Sequence, residues 1–229
     1  MKDETFSDLR GFLERLRSTG DLRVVDTPVN PRLEIAEIHR RVIAGGGPAL
    51  LFTKPEGSTI PVVTNLFGTA ERAQLAFGAR PSNLVRSLVR LVETELPPSP
   101  STLWAHRNLV GAGLKLGTRS ARRGPVLDVV SSDVDLGTLP ALTSWPDDGG
   151  PFITLPLVAT HHPETGGPNL GMYRLQIHDR RRTGMHWQIG KGGGFHFSVA
   201  EQAGEDLAAT VFLGGPPAMI LAAIAPLPE

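Results

Sequence analysis

The run Pro97-Pro98-Ser99-Pro100 most constrains what this 229-residue chain can fold into. Prolines this dense remove backbone donors and fix φ, so neither a helix nor a central strand crosses them. Apolar residues recur at helical spacing before the run and alternate as in strands after it. The stretch from Arg119 to Arg123 beyond it is basic and irregular. A boundary is therefore expected between 97 and 125, giving an N-terminal α/β domain over 1–115 and a mainly antiparallel β domain, barrel or sandwich, over 116–229.

In the first part, Phe6, Leu9, Phe12, Leu13 and Leu16 share one helical face, with Ser7 placed to cap it and Gly20 to end it. A short strand over 22–29 follows, then a helix after Pro31 that carries Leu33, Ile35, Ile38 and Val42 and closes at Gly45-Gly46-Gly47. Residues 49–52 and 60–65 read as strands, and 70–77 and 81–96 as helices. In the second part, residues 126–130, 152–161, 169–178 and 183–189 read as strands separated by Gly/Pro turns, with a helix near 198–204. The apolar run 218–225 reads as a buried strand, so a chain ending just after it looks cut, and its exposed apolar end predicts association.

Composition excludes several classes of function. Lys plus Arg and Asp plus Glu each number 23, so charge gives no support for a nucleic-acid or anionic-membrane partner. With no Cys there is no disulfide, thiolate ligand or thiol nucleophile. No apolar run reaches the length of a membrane span, and the N-terminus runs straight into an amphipathic pattern; a soluble, cytoplasmic protein is expected.

Chemistry-bearing residues concentrate in Asn169-Leu-Gly-Met-Tyr-Arg174 and, one hairpin later, in Met185-His186-Trp187-Gln188-Ile189-Gly190-Lys191-Gly192-Gly193-Gly194. On one strand, Asn169, Gly171 and Tyr173 would face one side and Leu170, Met172 and Arg174 the other, unless a bulge at Gly171 re-aims them. An Arg on an apolar face needs an anion, which is either a ligand or a structural salt bridge. The glycine run lets backbone N–H groups approach a ligand, and Lys191 adds a point charge suited to phosphate; it can equally be a flexible turn. It is not a P-loop, because Gly192 stands where Ser or Thr would hold magnesium. His161, His162 and His196 are read as structural or surface residues, since adjacent strand residues point apart. Arg180-Arg181-Arg182 is read as a solvated hairpin tip.

Ser144-Trp145-Pro146-Asp147-Asp148-Gly149-Gly150-Pro151-Phe152-Ile153-Thr154, His162-Pro163-Glu164-Thr165-Gly166, Asn169 to Arg174 and Met185 to Gln188 occur in the same order as in the UbiD family of reversible decarboxylases, which the chain resembles. The resemblance extends from the N-terminal helix through Pro61 to Gly68 and on to Pro217-Ala218-Met219-Ile220-Leu221-Ala222-Ala223, and members are about twice this long. It implies an α+β architecture in which the second domain is a flavin-reductase-like split β-barrel, cut before a C-terminal domain. It also implies prenylated FMN, a divalent metal (manganese), a monovalent cation such as potassium at the phosphate, and a homo-oligomer in the full-length protein. The implied reaction is non-oxidative loss of CO2 from an aromatic or α,β-unsaturated carboxylic acid.

By position, Asn169 matches the family's metal-ligand Asn and Arg174 its catalytic Arg. Met172, Tyr173, His186, Trp187, Gln188, Lys191 and Gly192 match residues that line the cofactor. A flavin needs an apolar slot, carbonyl donors and a phosphate clamp, which Met172 and Trp187, Gln188, and Lys191 with the glycines would supply. Two departures stand out: Gly190 replaces a metal-ligand His, and the family's acidic metal ligand and catalytic Glu pair would lie beyond Glu229. The chain alone is therefore expected to be inactive, the alternative being a non-catalytic flavin-binding or partner module.

Overall fold

The computed structural model describes residues 5–78, 121–188, 190 and 192–224. Contacts divide the chain into two compact units: Thr5–Ala76 with Val134–Glu229, and Met1–Glu4 with Phe77–Asp133. The expected boundary at 115/116 and the helix expected over 81–96 lie outside the described residues.

Helix α1 (Leu9–Ser18) begins at Asp8, whose carboxylate accepts from the Gly11 N–H at 2.8 Å. The cap is thus Asp8 rather than Ser7, an ionised acceptor for the donors of the first turn. Strand β1 (Leu22–Val25), helix α2 (Glu34–Ala44) and strand β2 (Ala49–Phe52) follow; β1 and β2 are parallel, and β3 (Val62–Thr64) adds antiparallel to β2. The α2 helix starts at Glu34, after Leu33 at φ 70, so Pro31 lies in the preceding turn rather than in the first helical turn.

The four residues of β2 show why this unit holds together. Ala49 and Leu51 pack with Phe12, Leu16, Leu22 and Leu66 on one face, while Leu50 and Phe52 pack with Val29 and Ile35 on the other. Period-two alternation makes an unbroken apolar strand serve two cores at once. Helix α3 (Ala70–Phe77) closes this region.

The rest of the unit carries two further three-stranded sheets. One has β4 (Phe152–Ile153), β7 (Leu175–Ile177) and β8 (Thr183–Met185) in the order β4-β7-β8; the other has β6 (Pro168–Met172), β5 (Leu157–His161) and β9 (Ala209–Phe212) in the order β6-β5-β9. Helix α4 (Gly192–Ala203) packs on β5 and β6, and α5 (Pro217–Ala222) follows β9. Among the described residues the strands form no closed barrel.

Several expected elements change. Residues 152–161 are two strands in different sheets, because the buried Pro156 cannot donate to a ladder. Residues 169–178 likewise divide at Tyr173 and Arg174, so Arg174 leaves the sheet that holds Met172 and their shared apolar wall does not form. The strand over 183–189 ends at Met185. Residues 126–130 form no strand; Pro125–Leu127 is one 3-10 turn, and Val126, Val129 and Val130 stay more than four-fifths exposed, with no pairing strand among the described residues. The run expected as a strand over 218–225 is helical as far as Ala222, with Pro217 at its first position and Ala, Met and Leu, all strong helix formers, behind it.

Candidate functional site

The two sequence clusters meet where β6 gives way to β7. Pairing of Leu175 with Met185 and a 3.0 Å bond from the His186 N–H to the Arg174 carbonyl set Trp187 beside Tyr173, with ring centroids 4.8 Å apart. Trp187 in turn stacks on Phe197 of α4, at 5.8 Å and 16°. The Tyr173 ring folds back over Gly171, where a Cβ would sit 2.5 Å from it.

The glycine run is the opening turn of α4 and not a loop. Its N–H at Gly193 donates to the Tyr173 hydroxyl at 2.8 Å. A Cβ at Gly193 would lie 2.6 Å from Trp187 and 2.8 Å from Tyr173, and one at Gly194 would lie 2.4 Å from the Gln188 carbonyl. Only glycine lets a helix N-terminus come this close to two aromatic rings. Gly192 is buried at that start, and Gly190 takes φ 82 just before it. Lys191 lies outside the described residues.

Arg174 follows Tyr173 in the chain and has partners of its own. Its Nη2 donates to both carboxylate oxygens of Asp148 at 3.0 Å, and its guanidinium lies 3.6 Å over the Phe152 ring. Asp148 also accepts from the Ser144 and Trp145 N–H groups at 3.0 and 3.1 Å. Burial opposes its ionisation. The bond from Ser144, the Arg174 guanidinium and the bond from Trp145 outweigh that and hold its carboxyl below the usual carboxylate range. Asp148 also lines an open cavity of about 470 Å3 shared with Asn30, Pro31, Arg32 and Thr143.

Asn169 has different partners: its amide donates to the Thr160 hydroxyl at 3.4 Å, and that hydroxyl is 3.0 Å from Nδ1 of the buried His196. His162 accepts from the Glu164 and Thr165 N–H groups, and His161 is exposed. Among the described residues no group of three or more His, Cys, Asp or Glu could hold a metal ion. Asn169 beside a neutral hydroxyl, with Gly190 offering no side chain, is a poor donor set for a hard dication. The described residues thus do not fit the implied metal, whereas an aromatic wall beside a glycine-only helix start suits a flavin.

Met172 is half-buried at the end of β6, opposite Leu157; His186 and Gln188 are exposed. The structure therefore gathers Tyr173, Trp187 and Gly192 at one place with Arg174 adjoining, and gives Asn169 a separate hydrogen-bonding group. Sequence reasoning assigned no role to Asp148 and Phe152, although both lie in the Ser144 to Thr154 motif. Arg180 and Arg182 lie at the β7–β8 hairpin tip, paired with Asp135 and Asp179.

Comparison with known proteins gives the family. The family model for the 3-octaprenyl-4-hydroxybenzoate carboxy-lyase N-terminal domain matches residues 13–92, and that for the Rift-related domain of the same enzymes matches residues 118–229. The chain belongs to the UbiD family. A Chlamydia pneumoniae protein, named as one component of a 4-hydroxybenzoate decarboxylase, is 48% identical over 223 residues, covering 97% of this chain and 38% of its own length. A Chlamydia caviae protein is 52% identical with the same coverage. Among solved structures, vanillic acid decarboxylase of Sedimentibacter hydroxybenzoicus in closed form has TM-score 0.78 at 25% identity, over 98% of this chain and 46% of that one. The UbiD-class enzyme HmfF of Pelotomaculum thermopropionicum, in complex with prFMN, has TM-score 0.69 at 27% identity, over 93% and 45%. The chain thus spans less than half the length of these relatives. Among the described residues no helix is long and apolar enough to cross a membrane.

Proposed function

We propose that this chain supplies the flavin-binding part of a cytoplasmic, reversible, non-oxidative decarboxylase that uses prenylated FMN and acts on an aromatic or α,β-unsaturated carboxylic acid. The observation that carries the reading is the convergence of Tyr173, Trp187 and the glycine-opened start of α4. An apolar ring needs such a wall, and a phosphorylated tail is favoured at a helix N-terminus. In this reading the sheets β4-β7-β8 and β6-β5-β9 are portions of a split β-barrel, and the working enzyme is a homo-oligomer.

The flavin, when bound, supplies a conjugated ring able to take up the electron pair released as the carbon–carboxylate bond breaks. This chain's own residues bind and orient. Tyr173 and Trp187 exclude water from one side of the ring. Arg174 holds the substrate carboxylate through charge-assisted hydrogen bonds before it leaves as CO2. No step is assigned to a metal.

Co-expression with a prenylated-FMN source tests the proposal. The purified chain should retain visible flavin absorbance after desalting, and Trp187→Ala, which removes one ring of the aromatic wall, should lose it while keeping wild-type circular dichroism. A wild-type chain that carries no flavin, with Gly190→His equally colourless, would overturn the reading.

A further inference from the structure

We infer that Asp148 is a positioning residue for Arg174, holding one nitrogen of its guanidinium so that the remaining donors alone are left for a substrate carboxylate. The inference rests on the decarboxylase reading above. Three observations carry it. Both oxygens of Asp148 engage Nη2, so that nitrogen is shared between them. The guanidinium plane is set by Phe152, 3.6 Å beneath it. Nε and Nη1 have no hydrogen-bond partner among the described residues, although the Arg174 side chain is 38% exposed against 10% for Asp148.

A guanidinium held only for structural support would direct its donors inward. This one is fixed along one edge and open along the rest. Asp148 is itself held by the Ser144 and Trp145 N–H groups, so the anchor for Arg174 is a tied-down carboxylate and not a swinging one. Pre-setting the guanidinium removes the rotamer entropy that a free Arg would lose on binding a carboxylate. The pairing is also selective: with Nη2 turned toward Asp148, a carboxylate meets chiefly the Nε and Nη1 donors, which limits the directions from which it is gripped.

Side-chain 15N NMR of the 229-residue chain reads the positioning directly. Restrained rotation should keep the Arg174 Nη resonances resolved in wild type, and Asp148→Asn should merge them into an averaged signal. Asparagine still offers an oxygen to the Ser144 and Trp145 N–H groups, so the turn and the circular dichroism are retained. Asp148→Glu, which keeps the charge one methylene displaced, should recover part of the splitting. Unchanged Arg174 resonances in Asp148→Asn overturn the inference. Benzoate titration supplies the functional arm: Asp148→Asn and Arg174→Lys should each bind it about tenfold more weakly than wild type. Wild-type benzoate affinity in Asp148→Asn also overturns the inference. Wild-type affinity in Arg174→Lys instead overturns the carboxylate role of Arg174, and the Nη splitting then decides the Asp148 contact by itself.

Discussion

At Gly193 a single hydrogen atom stands where any other residue would place carbon against both Trp187 and Tyr173. Neither neighbour can yield easily, since Tyr173 is buried and Trp187 is stacked on Phe197. Gly193→Ala should therefore cost about 1–3 kcal/mol, read as a lower urea midpoint, even though alanine is the better helix former. Tyr173→Phe leaves the ring and removes only the acceptor for the Gly193 N–H. It should cost roughly 1 kcal/mol in the same assay.

His39 gives a second residue-scale expectation. Its Nδ1 is buried without a hydrogen-bond partner, and burial lowers its pKa below the ordinary imidazole value. The unfolded chain then takes up a proton at a pH where the folded chain does not. Stability is whole above the unfolded value of about 6.5 and is lost as pH falls toward the folded one. The urea midpoint should drop between pH 7.5 and 5.5, and His39→Leu should flatten that slope.

Among elements, the legible ones were those whose neighbours lie close in sequence or whose pattern serves a core directly. The bounds of β2 and α3 follow from their apolar spacing, and Phe52, fully buried in the second core, shows how much depends on that alternation. Phe52→Ala should cost about 3–5 kcal/mol by thermal or urea melting. The illegible ones were decided by partners far along the chain. Valines at 126, 129 and 130 have strand propensity but no strand to pair with among the described residues, while the apolar run after Pro217 was short enough to fit either period.

The same reason explains the site. Glycines are poor helix formers, so the helix at Gly192 was hidden in a run that read as a turn; packing on β5 and β6, with His196 and Ala200 buried, supplies what propensity does not. That glycines would permit close approach was legible, but what approaches was not. The partner of Arg174 was hidden as well. Pairing of Ile153 with Leu175 and Phe152 with Gln176 makes Phe152 a diagonal neighbour of Arg174 and draws Asp148, 26 residues upstream, into reach.

At the scale of the whole molecule, one of the apolar stretches on the described surface runs along an open sheet edge. β9 is an edge strand with its residues mostly exposed, Val211 at 40% and the following Leu213 at 53%, and α5 adds Met219 at 36% with Ile224 just beyond it at 55%. An unpaired edge with apolar side chains invites another strand, and a net charge of zero at neutral pH provides no overall repulsion to oppose it. The purified chain should therefore self-associate, its weight-average sedimentation coefficient rising with concentration. Replacing Val211 and Leu213 together by lysine places charge along that edge without touching Tyr173, Trp187 or α4. The double variant should sediment at one concentration-independent value and keep wild-type circular dichroism. Association that persists unchanged in it would place the contact elsewhere on the molecule.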